Sequence, residues 1–189
     1  MENVHLDSRA LRVLAHPLRS RLLSELRING AATATHLAER LSTNTGATSY
    51  HLRKLAEVGL VTETGEGTGK QRFWAPAQES HSWSEEDHAD DPDAAAAANW
   101  LRQHYISHFA EKLARWEDER EHWPQAWREA ASISDALLTV TPEELDELMT
   151  ELAATVERFR QNVGDEPRPG ARRAVVQFYA MPADLDARP

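Results

Sequence analysis

The chain has 189 residues, with 31 Asp and Glu against 21 Lys and Arg, nine His and no Cys. The length suits one domain or two small ones, and a 41% hydrophobic share is enough for a core. Lack of cysteine excludes disulfides, thiolate metal sites and cysteine nucleophiles. No apolar run approaches the roughly 18 residues needed to span a bilayer, and the acidic start Met1-Glu2-Asn3 lacks the basic lead of a signal peptide. A cytoplasmic protein without membrane contact is expected.

The net charge of −10 argues against a nonspecific nucleic-acid coat, but it is unevenly spread. Residues 1–79 hold ten Lys/Arg and eight Asp/Glu, hence +2; residues 80–189 hold eleven and twenty-three, hence −12. Between them, 79–93 is polar, acidic and without apolar period, which predicts a linker. Three parts follow: 1–78, the linker 79–93, and 94–189.

In the first part a short helix is expected over Asp7–Ala15, broken at His16-Pro17, where His16 reads as a turn residue capping helix ends. Pro17 opens a second helix with Leu18, Leu22, Leu23 and Leu26 on one face, stopped at Asn29-Gly30. A third follows Thr33 and buries Ala34, Leu37, Ala38 and Leu41. A fourth runs from about Thr45 to Val58 and ends at Gly59. Three short helices with a tight turn before the last give a helix-turn-helix. At 100° per residue, Thr48, Leu52 and Leu55 of the fourth helix face the core, and Gly46, Ala47, Tyr50, Arg53 and Lys54 face outward. Cations, a phenol and small residues suit entry into a major groove. Then Leu60–Thr64 and Lys70–Ala75 read as two strands around a glycine-rich turn, a β-hairpin wing presenting Lys70 and Arg72.

Leu14-Ala15-His16-Pro17-Leu18-Arg19 and Ser49-Tyr50-His51-Leu52-Arg53-Lys54-Leu55-Ala56-Glu57-Val58-Gly59-Leu60-Val61 resemble the opening signature and the recognition helix of the ArsR-type winged-helix regulators of bacteria. The resemblance covers roughly residues 9–76. It implies a dimeric transcriptional regulator, a repressor, on a palindromic double-stranded DNA operator. It also implies that Ala47, Thr48, Ser49 and Tyr50 lie near bases and that His51, Arg53 and Lys54 lie near phosphates; Thr45 is expected among the DNA contacts, and Lys70 and Arg72 on the wing where it would touch the sugar-phosphate backbone or an adjacent minor groove. His51 also fits helix packing, and the angle of Thr48 puts it at the core edge. Metal-sensing members use a cysteine motif; without cysteine this chain belongs to a subtype that does not sense by that route.

In the acidic part a helix from Ala94 to about Glu119 carries Leu101, Tyr105, Phe109, Leu113 and Trp116 every three or four positions. We expect this stripe to form a homodimer interface. The tryptophans 100, 116, 123 and 127 suit that interface or a pocket for a small-molecule effector. His104 and His108, spaced i, i+4, could hold zinc, yet no third ligand is fixed by spacing and polar flank histidines are the simpler account. Thr141-Pro142-Glu143-Glu144 opens a further helix as a capping box. Its flanks 136–140 and 174–179 read as strands, so a small strand-helix-strand element is expected at the end of a mainly α fold. No metal, cofactor or catalytic grouping is expected, so the chain is not an enzyme. The alternatives are a winged-helix interaction scaffold that has lost DNA binding and a histidine-based zinc-responsive regulator.

Overall fold

The computed structural model describes residues 4–67, 71–78, 80–164 and 168–184, and the chain forms two compact units, 1–122 and 123–189. In the first unit the order is β1 (Val4–His5), α1 (Ser8–Leu14), α2 (Pro17–Asn29), β2 (Ala32–Thr33), α3 (Ala34–Arg40), α4 (Thr45–Ala56), β3 (Val61–Glu63), β4 (Phe73–Pro76), β5 (His81–Ser82) and α5 (Pro92–Glu119). Local chemistry sets the helix starts. The Asp7 carboxylate accepts the Ala10 N–H at 2.7 Å, His16 Nδ1 accepts the Leu18 N–H at 3.1 Å, and Thr33 and Asn44 side chains cap α3 and α4. Helix α2 stops at Gly30, whose φ of 82° is a left-handed conformation. His16 thus acts as the cap expected of it.

The core collects leucines from every helix of this unit: Leu11, Leu22, Leu37, Leu52, Leu55 and Leu101 are fully shielded. Each such side chain contributes about 1.5–3 kcal/mol relative to exposure. The wing forms as expected, β3 pairing antiparallel with β4 through Val61 opposite Pro76 and Glu63 opposite Trp74. A third strand joins it: β2 pairs with β4, Ala32 opposite Trp74. The sequence signal for β2 is too short to read, two residues between a glycine turn and a helix cap.

The acidic segment expected as a linker is built into the first unit. Strand β5 pairs parallel with β1, a 3-10 turn spans Glu86–His88, His88 is buried, and the Asp91 carboxylate caps α5 through the Ala94 N–H at 3.0 Å. Asp91 also pairs with Arg12 on α1, and Asp87 meets His5 and the Ser84 hydroxyl and N–H. The Ser84 hydroxyl first, then His5, hold the Asp87 carboxyl below the usual carboxylate range. Acidic residues that read as solvated spacer are here cap and ion-pair partners for α1 and α5.

Beneath β5 lies a polar lock. Arg27 Nη1 donates to His81 Nδ1 at 2.6 Å, and Arg27 Nε donates to the Gln78 carbonyl at 3.2 Å. Because a guanidinium only donates, His81 accepts at Nδ1 and carries its proton on Nε2, which lies 2.9 Å from the Tyr105 hydroxyl on α5. Burial, with the Arg27 charge beside it, holds the imidazole pKa down at about 3, and burial pushes the Tyr105 phenol up.

The second unit holds α6 (Gln125–Ala130) and α7 (Pro142–Val163). Helix α7 opens with the expected capping box: Thr141 Oγ1 accepts the Glu144 N–H at 3.3 Å and Glu144 accepts the Thr141 N–H at 2.8 Å. The expected strands over 136–140 and 174–179 do not form. Leu137 stays 85% exposed, and Val175 and Val176 stay about 60% exposed. The reason is physical: a β-prone sequence becomes a strand only against a partner backbone, and two strands with no covering face are marginal in water. The mainly α fold with a winged first unit stands; the closing α/β element reduces to its helix. No helix among the described residues is long and apolar enough to cross a membrane.

Candidate nucleic-acid interface

Helix α4 presents two chemically distinct sides. Inward, Leu52 and Leu55 are fully buried, as is Thr48, whose hydroxyl donates to the Asn44 carbonyl at 3.1 Å. Thr48 is therefore removed from the expected DNA contacts: a fully buried hydroxyl satisfied by its own helix has nothing to offer a base. Outward, Thr45, Gly46, Tyr50 and Arg53 are exposed, with Ala47, Ser49, His51 and Lys54 half-buried beside them. Asn44 organises the start, its Oδ1 accepting the Ala47 N–H at 2.8 Å. Just before it Ser42 takes a left-handed φ of 51°, closing the turn between α3 and α4.

The cations of this side differ in freedom. Arg53 projects with no ion-pair partner among the described residues. Lys54 Nζ lies 2.9 Å from Glu57 Oε2 and 5.9 Å from the Tyr50 ring centre; Glu57 raises its pKa, while Arg9 on α1 opposes that. On the wing Arg72 pairs with Glu63 at 2.7 Å across the hairpin. Exposed pairs of this kind contribute little and exchange readily for phosphate oxygens. Lys70 lies outside the described residues.

Two cations were missed in the sequence reading, Arg9 and Arg19. Arg9 is exposed close to Lys54, and Arg19, one turn into α2, comes near Tyr50. Both sit on helices read for their apolar faces, so only the packing of α1 and α2 against α4 reveals them. His16 and His51 meet here with ring centres 4.4 Å apart. Burial lowers the pKa of both; for His51 the neighbouring His16 and Arg19 lower it further, so both rings favour the uncharged form. His51 packs against His16, and its buried Nδ1 has no hydrogen-bond partner among the described residues.

Residues 14–64 match the family model described as a helix-turn-helix domain. With the β3–β4 hairpin directly behind it, that match decides the architecture. The chain carries a winged helix-turn-helix domain. No curated protein matches the chain. Among solved structures, one described as a possible transcriptional regulator for arsenical resistance is 31% identical, over 60% of this chain and 96% of that one, with a TM-score of 0.32. Reduced HlyU of Vibrio cholerae is 20% identical over 50% of this chain and 84% of that one, TM-score 0.33. The homodimeric winged helix-turn-helix DNA-binding domain of Mb0332 from Mycobacterium bovis, a possible ArsR-family regulator, is 20% identical over 53% and 76%, TM-score 0.35.

Outside the winged domain's α4 face, the stripe expected at a dimer interface divides. Leu101 is fully buried, and Tyr105 packs against the same core and bonds to His81. These two are consumed within their own chain because α1 packs on the first half of α5. Phe109, Leu113 and Trp116 remain half-buried. His104 stacks between Trp100 and His108, with ring centres 4.8 and 6.0 Å away, and His108 Nδ1 lies 3.8 Å from Glu111. Among the described residues no group of three potential ligands gathers there or elsewhere.

Proposed function

We propose that the chain is a sequence-specific, DNA-binding transcriptional repressor acting as a homodimer. The outward side of α4 carries this reading: Tyr50, Arg53 and Lys54 above small residues at Thr45, Gly46 and Ala47, with Arg9 and Arg19 beside them. Small residues let the helix start approach base edges, where Thr45, Ala47, Ser49 and Tyr50 would read sequence. The flanking Arg53, Lys54, His51 and the wing residues Arg72 and Lys70 would contact phosphates. Phe109, Leu113 and Trp116 on the far half of α5 would join two copies, so that two α4 helices meet successive major grooves of a palindromic operator. The acidic residues after 79 would disfavour nonspecific contact with DNA.

The test is selection of bound sequences from random duplexes, then titration of the enriched site. Arg53→Ala with Lys54→Ala should weaken binding across all sequences and lower the salt slope by about two. Unchanged affinity and slope would reject α4 as the reading face. The ion pairs of Lys54 and Arg72 favour a second reading, a winged-helix scaffold for protein partners. Failure to enrich any duplex sequence would support it.

A further inference from the structure

Every fully shielded apolar side chain of the described residues lies at or before Leu101; the second unit has none. Yet it contains a 22-residue helix, α7, with strong start signals and a sustained apolar pattern. The pattern is specific. Leu145, Met149, Leu152, Val156, Phe159 and Val163 follow one another at spacings of four, three, four, three and four. This is the 3.5-residue alternation of a two-helix seam, kept along about three heptads, with Leu148 widening it at the start. Phe159 is 69% exposed and Val156 38%, while Leu145, Met149, Leu152 and Val163 are half-buried and none is shielded.

The run of charge along α7 selects its partner, with Asp146 and Arg160 the charged residues that flank the seam. The first half of α7 bears Glu143, Glu144, Asp146, Glu147 and Glu151, while the second half bears Arg158 and Arg160 against Glu157. A parallel copy would set acid against acid. An antiparallel copy sets the acidic half of each helix beside the more basic half of the other.

We infer that α7 is a docking surface for α7 of a second copy of this chain, the two helices antiparallel about a two-fold axis near residue 154. Met149 then layers with the partner's Phe159, Leu152 with the partner's Val156, and Leu145 with the partner's Val163. Asp146 comes beside the partner's Arg160. Within one helix these two are about 21 Å apart along the axis, so they meet only between copies. Arg160 pairs with Glu157 in the single chain and exchanges that local pair for Asp146 across the seam. This surface is separate from the α4 face and does not rest on the DNA reading.

Because the chain has no cysteine, single cysteines can carry spin labels in the full-length protein. Glu147→Cys, Ala154→Cys and Gln161→Cys all lie on the exposed side of α7, away from the seam. The expected result is the shortest inter-label distance at 154. Labels at 147 and 161 should each be farther from their copies, with an axial offset of about 21 Å, and mixing the 147- and 161-labelled chains should restore a short distance. Three equal distances, or none in range, would overturn the inference. As a second measurement, Asp146→Arg should raise the dimer dissociation constant at least fivefold and adding Arg160→Asp should restore it; no restoration would overturn the register. A chain that binds operator normally while its α7 labels stay apart would remove this surface and leave the regulator intact.

Discussion

Both units contain helix-forming sequence but treat it differently. In residues 1–122 five helices pool their leucines into one core, within which the Thr48 hydroxyl bonds to its own helix, while beside it the His81 ring bonds to Arg27 and Tyr105. From Trp123 onward α7 forms with a capping box, yet large apolar side chains including Leu137, Phe159 and Val176 stay in water. The difference teaches that capping and periodicity make a helix, whereas shielding requires a second surface. One unit supplies that surface from its own chain; the other presents a surface that a second chain would complete.

The contrast can be broken most sharply by truncation. Leu22→Ala, in the first core, should cost about 3 kcal/mol in urea unfolding, whereas Leu152→Ala should cost less than about 0.5 kcal/mol at protein concentrations where the chain is monomeric. Equal losses would show that the second unit has a core of its own. A pH series addresses the polar lock. Its histidine has a folded-state pKa of about 3, below the ordinary 6.5, so the folded state resists protonation. The associated stability is complete above about pH 6.5 and is lost as pH falls toward 3, on the order of 3 kcal/mol between pH 7 and pH 4. Urea titrations at the two pH values should show that loss, and His81→Leu should flatten it.

Smaller effects refine the picture. Tyr105→Phe removes the acceptor from a buried imidazole N–H and should cost about 1–2 kcal/mol. Asn44→Ala removes the α4 cap and should cost about 1 kcal/mol, with fraying of the first turn visible in amide exchange at Ala47. A loss at Asn44 as large as that at Leu22 would mean that the start of α4 is held by its cap more than by the core.

Much of the first unit was legible because its signals are local. Asp7, Pro17, Thr33 and Gly59 mark helix ends, and the 100° projection of α4 separated the buried Leu52 and Leu55 from Tyr50 and Arg53. Thr48, at the edge of that projection, went inward because its hydroxyl could bond to its own helix. What escaped depends on long-range encounters. Strand β1 is defined only by β5, some 77 positions later, and the Arg27, His81 and Tyr105 contacts join three elements that no spacing rule connects. The acidic stretch around Asp87 and Asp91 looked like spacer since its partners, His5 and Arg12, lie at the other end of the domain. In the second unit the capping box and helix of α7 are legible, but its apolar residues Leu145 to Phe159 are not buried as their pattern suggests, and the strand-forming residues at 136–140 and 174–179 find no neighbouring backbone.

The geometry around His81 has a spectroscopic consequence. With Nδ1 accepting from Arg27 and Nε2–H directed at Tyr105, this imidazole is held in one tautomer, whereas a free histidine samples both. Its two ring nitrogens should therefore give widely separated nitrogen-15 resonances, and those signals should collapse toward the averaged values of a mobile ring whenever α5 detaches from α2. A single side chain thus offers a direct readout of whether the long helix is seated on the winged domain, with or without DNA.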